Sequence, residues 1–95
     1  MSIGIYKIEN LLNGKIYIGQ SVHIEKRWAE HCSPSADSLI GKAIQKYGKE
    51  NFIFQILEIT TQEDLNNRET FFIKKYNTLS PNGYNVKYED NKEHH

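Results

Sequence analysis

The sequence predicts an α/β (α+β) fold: a small three-stranded antiparallel sheet flanked by three helices, in the order β-β-α-α-β-α. Three observations lead there. "IGIYKIENLLNGKIYIGQ" holds two alternating apolar stretches around an Asn-Gly pair. Two short amphipathic helical patterns follow, interrupted by Pro34 and small polar residues. A β-branched and aromatic run, "NFIFQILEI", then precedes a longer helical pattern that ends before Pro81.

Taken in order, Ile3 and Ile5 alternate with Gly4, Tyr6 and Ile8, and Ile16 and Ile18 alternate with Tyr17 and Gly19. Asn13 and Gly14 both tolerate positive φ, so the two strands should pair as an antiparallel hairpin. Ser21 is placed to cap a helix over 22–32 with an apolar stripe of Ile24, Trp28 and Cys32. The second helix takes Asp37 or Ser38 as its cap, buries Leu39, Ile40, Ala43, Ile44 and Tyr47 on one side, and stops at Gly48. "NFIFQILEI" is expected to be the third and central strand. Thr61 and Asp64 have capping-box-like spacing at the start of the last helix, which runs to about Tyr76.

Ninety-five residues suit one domain, drawn here at 1–88, with the charged, non-periodic stretch 89–95 expected to be a disordered tail. Hydrophobic residues at 38% and charged residues at 25% are ordinary for a globular chain. No apolar run is long enough to span a bilayer, and "MSIGIYKIEN" has no signal-peptide core, so a cytoplasmic setting is expected. Cys32 is the single cysteine, which excludes a disulfide framework and a cysteine-based zinc site. Lysine plus arginine number 12, as do aspartate plus glutamate. The first 49 residues carry +3 and the remainder −3. Strong nucleic-acid binding needs many phosphate-neutralising cations, so this chain alone should hold DNA weakly, through Lys7, Lys15, Lys26, Arg27, Lys42 and Lys46.

Glu69 is the most informative single position. At 100° per residue it falls within the apolar arc of Leu65, Phe72, Ile73 and Tyr76. A carboxylate aimed at a core needs a cation or a set of donors, so it serves either a structural Arg or Lys or a bound metal ion. Tyr6 and Tyr17 lie on the paired strands, where tyrosines commonly pack across strands. Gly4 and Gly19 flank them, and glycine inside a strand marks a bulge or a close approach of a ligand. Arg27 and His31 sit one helical turn apart, beside the apolar stripe and outside it.

Together, "GIY" at 4–6, "YIG" at 17–19 after ten intervening residues, Arg27, His31, Glu69 and Asn85 resemble the GIY-YIG nuclease superfamily. The segments "KRWAEH", "KYGKENF" and "NGYNV" are most similar to the catalytic domains of phage and bacterial intron-encoded homing endonucleases. The resemblance implies a phosphodiesterase acting as a DNA endonuclease with one divalent ion, Mg²⁺ or Mn²⁺, held by Glu69. It implies that Tyr6 or Tyr17 serves as the base, Tyr6 being the better candidate if nearby cations lower its pKa, with Tyr17 positioning water or phosphate. Arg27 clamps the phosphate, His31 relays a proton, and Gly4, Gly19, Lys42 and Asn85 support the site or the substrate. A tethered DNA-binding domain or a partner would supply targeting, the catalytic unit being monomeric and bacterial or phage-encoded. Homing-type relatives often carry a further His before the second helix. Here Ser35, Asp37 or Ser38 occupies that zone, and Lys42 or Tyr47 is expected to compensate. A stand-alone repair or branched-DNA nuclease and a non-catalytic nucleic-acid-binding module are the alternatives.

Overall fold

The computed structural model describes residues 2–86, so the tail at 89–95 and the last two residues of the expected domain lie outside the described residues. Its elements are β1 (Gly4–Asn10), β2 (Ile16–Ser21), α1 (Ile24–His31), α2 (Leu39–Tyr47), β3 (Phe52–Ile59) and α3 (Leu65–Tyr76), with 3₁₀ turns at Lys49–Asn51 and Gln62–Asp64. The order of elements is the expected one. The sheet is antiparallel throughout, with strand order β2-β1-β3. The central strand is therefore β1 and not β3, which takes an edge.

The pleat of β1 explains that placement. Ile5 faces one side, and Tyr6 and Ile8 the other, and all three are fully buried. Tyr6 and Ile8 join Ile24, Ile40, Ala43, Ile44 and Phe52 beneath α1 and α2. Ile5 joins Ile18, Leu65, Phe72 and Ile73 beneath α3. Covering both faces makes three layers, and only the strand in the middle buries both sets of side chains. The expected run of burial in β3 is broken by Ile53 and Ile59, which are exposed.

Local details depart from the sequence expectations for physical reasons. In the hairpin only Gly14 takes positive φ, at 77°, while the Asn13 side chain accepts from the Lys15 N–H. The loop is thus longer than a two-residue turn, closed by Gly14 N to Asn10 O at 2.8 Å. Helix α1 begins at Ile24 after His23, and Ser21 does not cap it; the Ser21 hydroxyl accepts from His23 N two residues on. Trp28 and Cys32 pack only partly buried against the core. For α2, Ser38 is the cap, accepting from Gly41 N at 3.1 Å, and Leu39 points outward. The capping box at Thr61 does not form, because a 3₁₀ turn stands between it and α3 and only backbone groups close it.

After α3 the chain returns to β2. Asn85 is buried, accepts from Ile18 N, donates to Ile18 O at 2.8 Å and accepts from the Thr78 hydroxyl. Tyr84 N donates to Ile16 O beside it. Asn85 therefore clasps the outer edge of β2 from the last turn, fixing the strand that carries Tyr17 and Gly19. No helix of the described residues is long and apolar enough to cross a membrane.

Candidate active site

On the α1–α2 face, the β1–β2 register sets Tyr6 opposite Gly19 and Ile8 opposite Tyr17. A Cβ on residue 19 would run into the Tyr6 ring and hydroxyl and into the Tyr17 ring. The absent side chain at Gly19 is thus what lets Tyr6 lie across β2. Gly4 has a different reason: a Cβ there would meet the Glu58 carbonyl of β3, next to the register shift between Ile5 and Tyr6. Ring packing accounts for Gly19 and backbone packing for Gly4.

From this position Tyr6 Oη meets His31 Nε2 at 2.8 Å. His31 closes the last turn of α1 and is only 4% exposed, so a residue expected at the border of the apolar stripe is buried as deeply as the core. The rings of Tyr17 and Trp28 pack around the pair, Tyr17 edge-on to His31 with centroids 5.2 Å apart. Burial, and then the nearby Arg27 cation, push the His31 imidazolium down to about 4, so the ring is neutral near pH 7 and Nε2 can accept the Tyr6 proton. Tyr6 is raised well above 10 by burial and by Tyr17, and Arg27 offsets this only in part. The lowered tyrosine pKa required of a free phenolate base is therefore not what this site provides; the phenol is a proton-bearing partner of a neutral imidazole.

One turn before His31, Arg27 is exposed and bonds Glu30 Oε1 through Nη1 at 2.9 Å. A cleft of about 340 Å³ opens beside it, lined by Arg27, Glu30, His31, Ala36, Asp37 and Ser38. The loop that lacks the extra histidine thus forms the far wall of the cleft. Lys42 reaches Asp37 there at 3.6 Å, both side chains being largely solvated. Tyr47 packs on the core instead, with Lys46 over its ring. The basic residues of the first half do not form one patch, since Lys7 pairs with Glu9 and lies over Tyr76, a residue of the α3 side.

Glu69 is 1% exposed on α3, as its place on the apolar arc requires. It belongs to the other face of the sheet from the tyrosines. Gln20, the residue after Gly19, points to that face and donates from Nε2 to Glu69 Oε1 at 2.9 Å and to Asn66 Oδ1 at 2.7 Å. Because β2 is an edge strand, consecutive residues of one strand, ~3.8 Å apart at Cα, join the two halves of the site around that edge. Gln20 and Asn66 were not anticipated from sequence. A polar residue at the end of an amphipathic strand is ordinary, and only the docking of α3 gives it a partner.

Among the described residues no three of His, Cys, Asp or Glu gather as metal ligands. A lone buried carboxylate beside a neutral amide does not suit a caged transition metal. It does fit a hard cation that keeps several waters and takes one carboxylate plus substrate oxygens, as Mg²⁺ does.

Residues 2–85 match the family model described as the GIY-YIG catalytic domain. The chain belongs to that family. It is similar to the catalytic domain of intron endonuclease I-TevI, for which two solved structures superpose with TM-scores of 0.75 and 0.71 at 34% identity. The first match covers 93% of this chain and 96% of that domain, the second 90% and 98%. Intron-associated endonuclease 1 of Enterobacteria phage T4 is 38% identical over 90% of this chain, and probable intron-encoded endonuclease 1 of Neurospora crassa 35% over 88%. Only 37% and 30% of those relatives are covered, so this chain spans about a third of the length of the curated relatives it matches. By motif, fold and sequence this chain is a GIY-YIG catalytic domain, similar to those of intron endonucleases.

Proposed function

We propose that this domain cleaves DNA by hydrolysing phosphodiester bonds, that one divalent ion, Mg²⁺ or Mn²⁺, is held at Glu69, and that a tethered DNA-binding domain or a partner delivers it to its target. The observation that carries this reading is the 2.8 Å contact of Tyr6 Oη with His31 Nε2, beside the exposed Arg27 and around the β2 edge from Glu69.

When bound, the cation supplies charge neutralisation at the phosphate and a more acidic water. The chain's own groups do the rest. Arg27 releases Glu30 and grips the phosphate with its planar fork, placing positive charge where negative charge develops. Tyr6 takes a proton from the attacking water as it passes its own to His31 Nε2. In the free domain that transfer is uphill, because Tyr6 holds its proton tightly and His31 accepts one poorly. A phosphate anion in the cleft favours the imidazolium and narrows the gap. Tyr17 orients water or phosphate, and Asn85 keeps β2 in place beneath them.

External targeting is supported by the balanced charge, 12 basic against 12 acidic side chains, and by the two thirds of the relatives' length that lies beyond the match. A monomer is the working state of this proposal. The phage T4 relative supports a phage or bacterial setting in the cytoplasm, although the Neurospora crassa relative shows that the domain is not confined to it.

The test is nicking of a supercoiled plasmid with and without Mg²⁺, by the natural sequence and by Glu69→Gln. Cleavage should need the cation and vanish in the variant while its circular dichroism is unchanged. Normal nicking by Glu69→Gln in Mg²⁺ overturns the metal role. For targeting, DNA affinity should fall in the weak non-specific range, with Kd of about 10⁻⁴ to 10⁻⁶ M at physiological salt. Nanomolar, sequence-specific binding by this chain alone refutes delivery from outside.

A further inference from the structure

We propose that Gln20 is the positioning residue for Glu69: its side-chain amide sets the rotation of the Glu69 carboxylate and so tunes the affinity of the site for its cation. The inference rests on the metal reading above and adds a residue to it.

The geometry is specific. Both N–H bonds of one amide nitrogen are spent, on Asn66 Oδ1 at 2.7 Å and on Glu69 Oε1 at 2.9 Å. Asn66 and Glu69 are three apart on α3 and so share a helix face, which lets a single amide span them. An ionised carboxylate is acceptor-only, so it is the nitrogen of Gln20 that must face Glu69. With that nitrogen committed twice, the amide cannot turn, and neither can the Glu69 oxygen it holds.

Two features make the contact more than surface decoration. Glu69 is 1% exposed, and hydrogen bonds to a carboxylate in such a setting are stronger than in water. The amide is also neutral. A Lys or Arg at position 20 would hold Glu69 equally well but would cancel the charge that attracts a cation. Gln20 orients the ligand and leaves its charge available, as outer-shell partners of metal ligands do. It follows Gly19 directly, so one short stretch of β2 seats Tyr6 on one face and Glu69 on the other.

The experiment measures cation binding without DNA, by the effect of Mn²⁺ on water-proton relaxation, for the natural sequence, Gln20→Leu, Gln20→Asn and Glu69→Gln. Thermal melts and the Mg²⁺ dependence of plasmid nicking accompany it. Gln20→Leu removes both donors at similar volume and should weaken Mn²⁺ binding by about tenfold, the lower end for outer-shell partners. Half-maximal nicking should move to higher Mg²⁺ by a similar factor, with the rate at saturating Mg²⁺ close to that of the natural sequence. Gln20→Asn, one methylene too short to reach both acceptors, should fall between the two. It carries the test if the leucine variant does not fold. Unchanged Mn²⁺ affinity in the folded Gln20 variants overturns the inference, and a lowered melting temperature with unchanged affinity assigns Gln20 to holding α3 alone. If Glu69→Gln binds Mn²⁺ as the natural sequence does, the metal reading fails, whatever Gln20 shows.

Discussion

Acidification should destabilise this domain through His31, and by a predictable amount. The ring is buried against Tyr6 and Tyr17, and burial together with Arg27 moves its pKa from 6.5 to about 4. In the unfolded chain the same ring takes up a proton near pH 6.5. Between these values the unfolded state binds the proton and the folded state does not, so stability rises with pH across that window. The His31 contribution is fully present above about pH 6.5 and is lost as pH falls towards 4. At ~1.36 kcal/mol per pH unit the loss between pH 7.5 and 4.5 comes to about 2.5 kcal/mol. Urea unfolding at the two pH values, for the natural sequence and for His31→Gln, isolates this contribution, because the carboxylates and the other histidines are common to both. The variant should lose about 2.5 kcal/mol less on acidification. An imidazole resonance of His31 that titrates near 6.5, or equal acid losses in the two proteins, would refute the buried neutral histidine and the proton relay built on it.

Other perturbations separate chemistry from architecture. Arg27→Lys should keep stability within ~0.5 kcal/mol, since the Arg27–Glu30 pair is half exposed; plasmid nicking should nonetheless fall by about 10² to 10³, because a point charge cannot replace a fork on the phosphate. Gly19→Ala drives a methyl into the Tyr6 ring, so urea unfolding should show a loss of ~1–3 kcal/mol, and the His31 resonance should titrate higher as displacement of Tyr6 reduces the burial that lowers it. Asn85→Ala leaves Ile18 N–H and C=O and the Thr78 hydroxyl without their partner. The expected cost is about 3 kcal/mol in urea, with nicking per folded molecule largely kept at low temperature.

The order of elements was legible because each announces itself locally: period-two alternation in β1 and β2, helical spacing in α2, and Gly14 and Gly48 where the chain must turn. Glu69 was legible too, since a carboxylate inside an apolar arc contradicts its surroundings. Strand order was not. Alternation reveals which face a residue takes but not which strand lies beside it, and the aromatic run of β3 looked more central than the glycine-containing β1. Nor was the burial of His31 readable, because Tyr6 and Tyr17, brought in from the sheet, pack on the last turn of that helix. The direction of the Tyr6 pKa turned on the same point. Sequence places Arg27 near Tyr6, but only packing shows that desolvation outweighs the cation.

On the proposed reading, placing Glu69 and the tyrosines on opposite faces suits the chemistry a phosphodiesterase must combine. A tyrosine that keeps its proton and a histidine that stays neutral need the apolar shelter of Trp28, Tyr17 and the α1–α2 layer. A carboxylate proposed to hold a cation is just as buried here, so it needs a donor such as the Gln20 amide, because burial without one would favour the protonated acid. The edge strand keeps the two environments apart while its consecutive residues Gly19 and Gln20 meet Tyr6 on one face and Glu69 on the other. Along β2 the outer backbone groups of Ile16 and Ile18 are taken up by Tyr84 and Asn85. Gly19 and Gln20 come immediately beyond that clasp. On the proposed reading, a phosphate reaching this end of the strand meets the hydroxyl of Tyr6 from one layer and the carboxylate of Glu69 from the other. A central strand could offer neither approach, because its neighbours would occupy both sides.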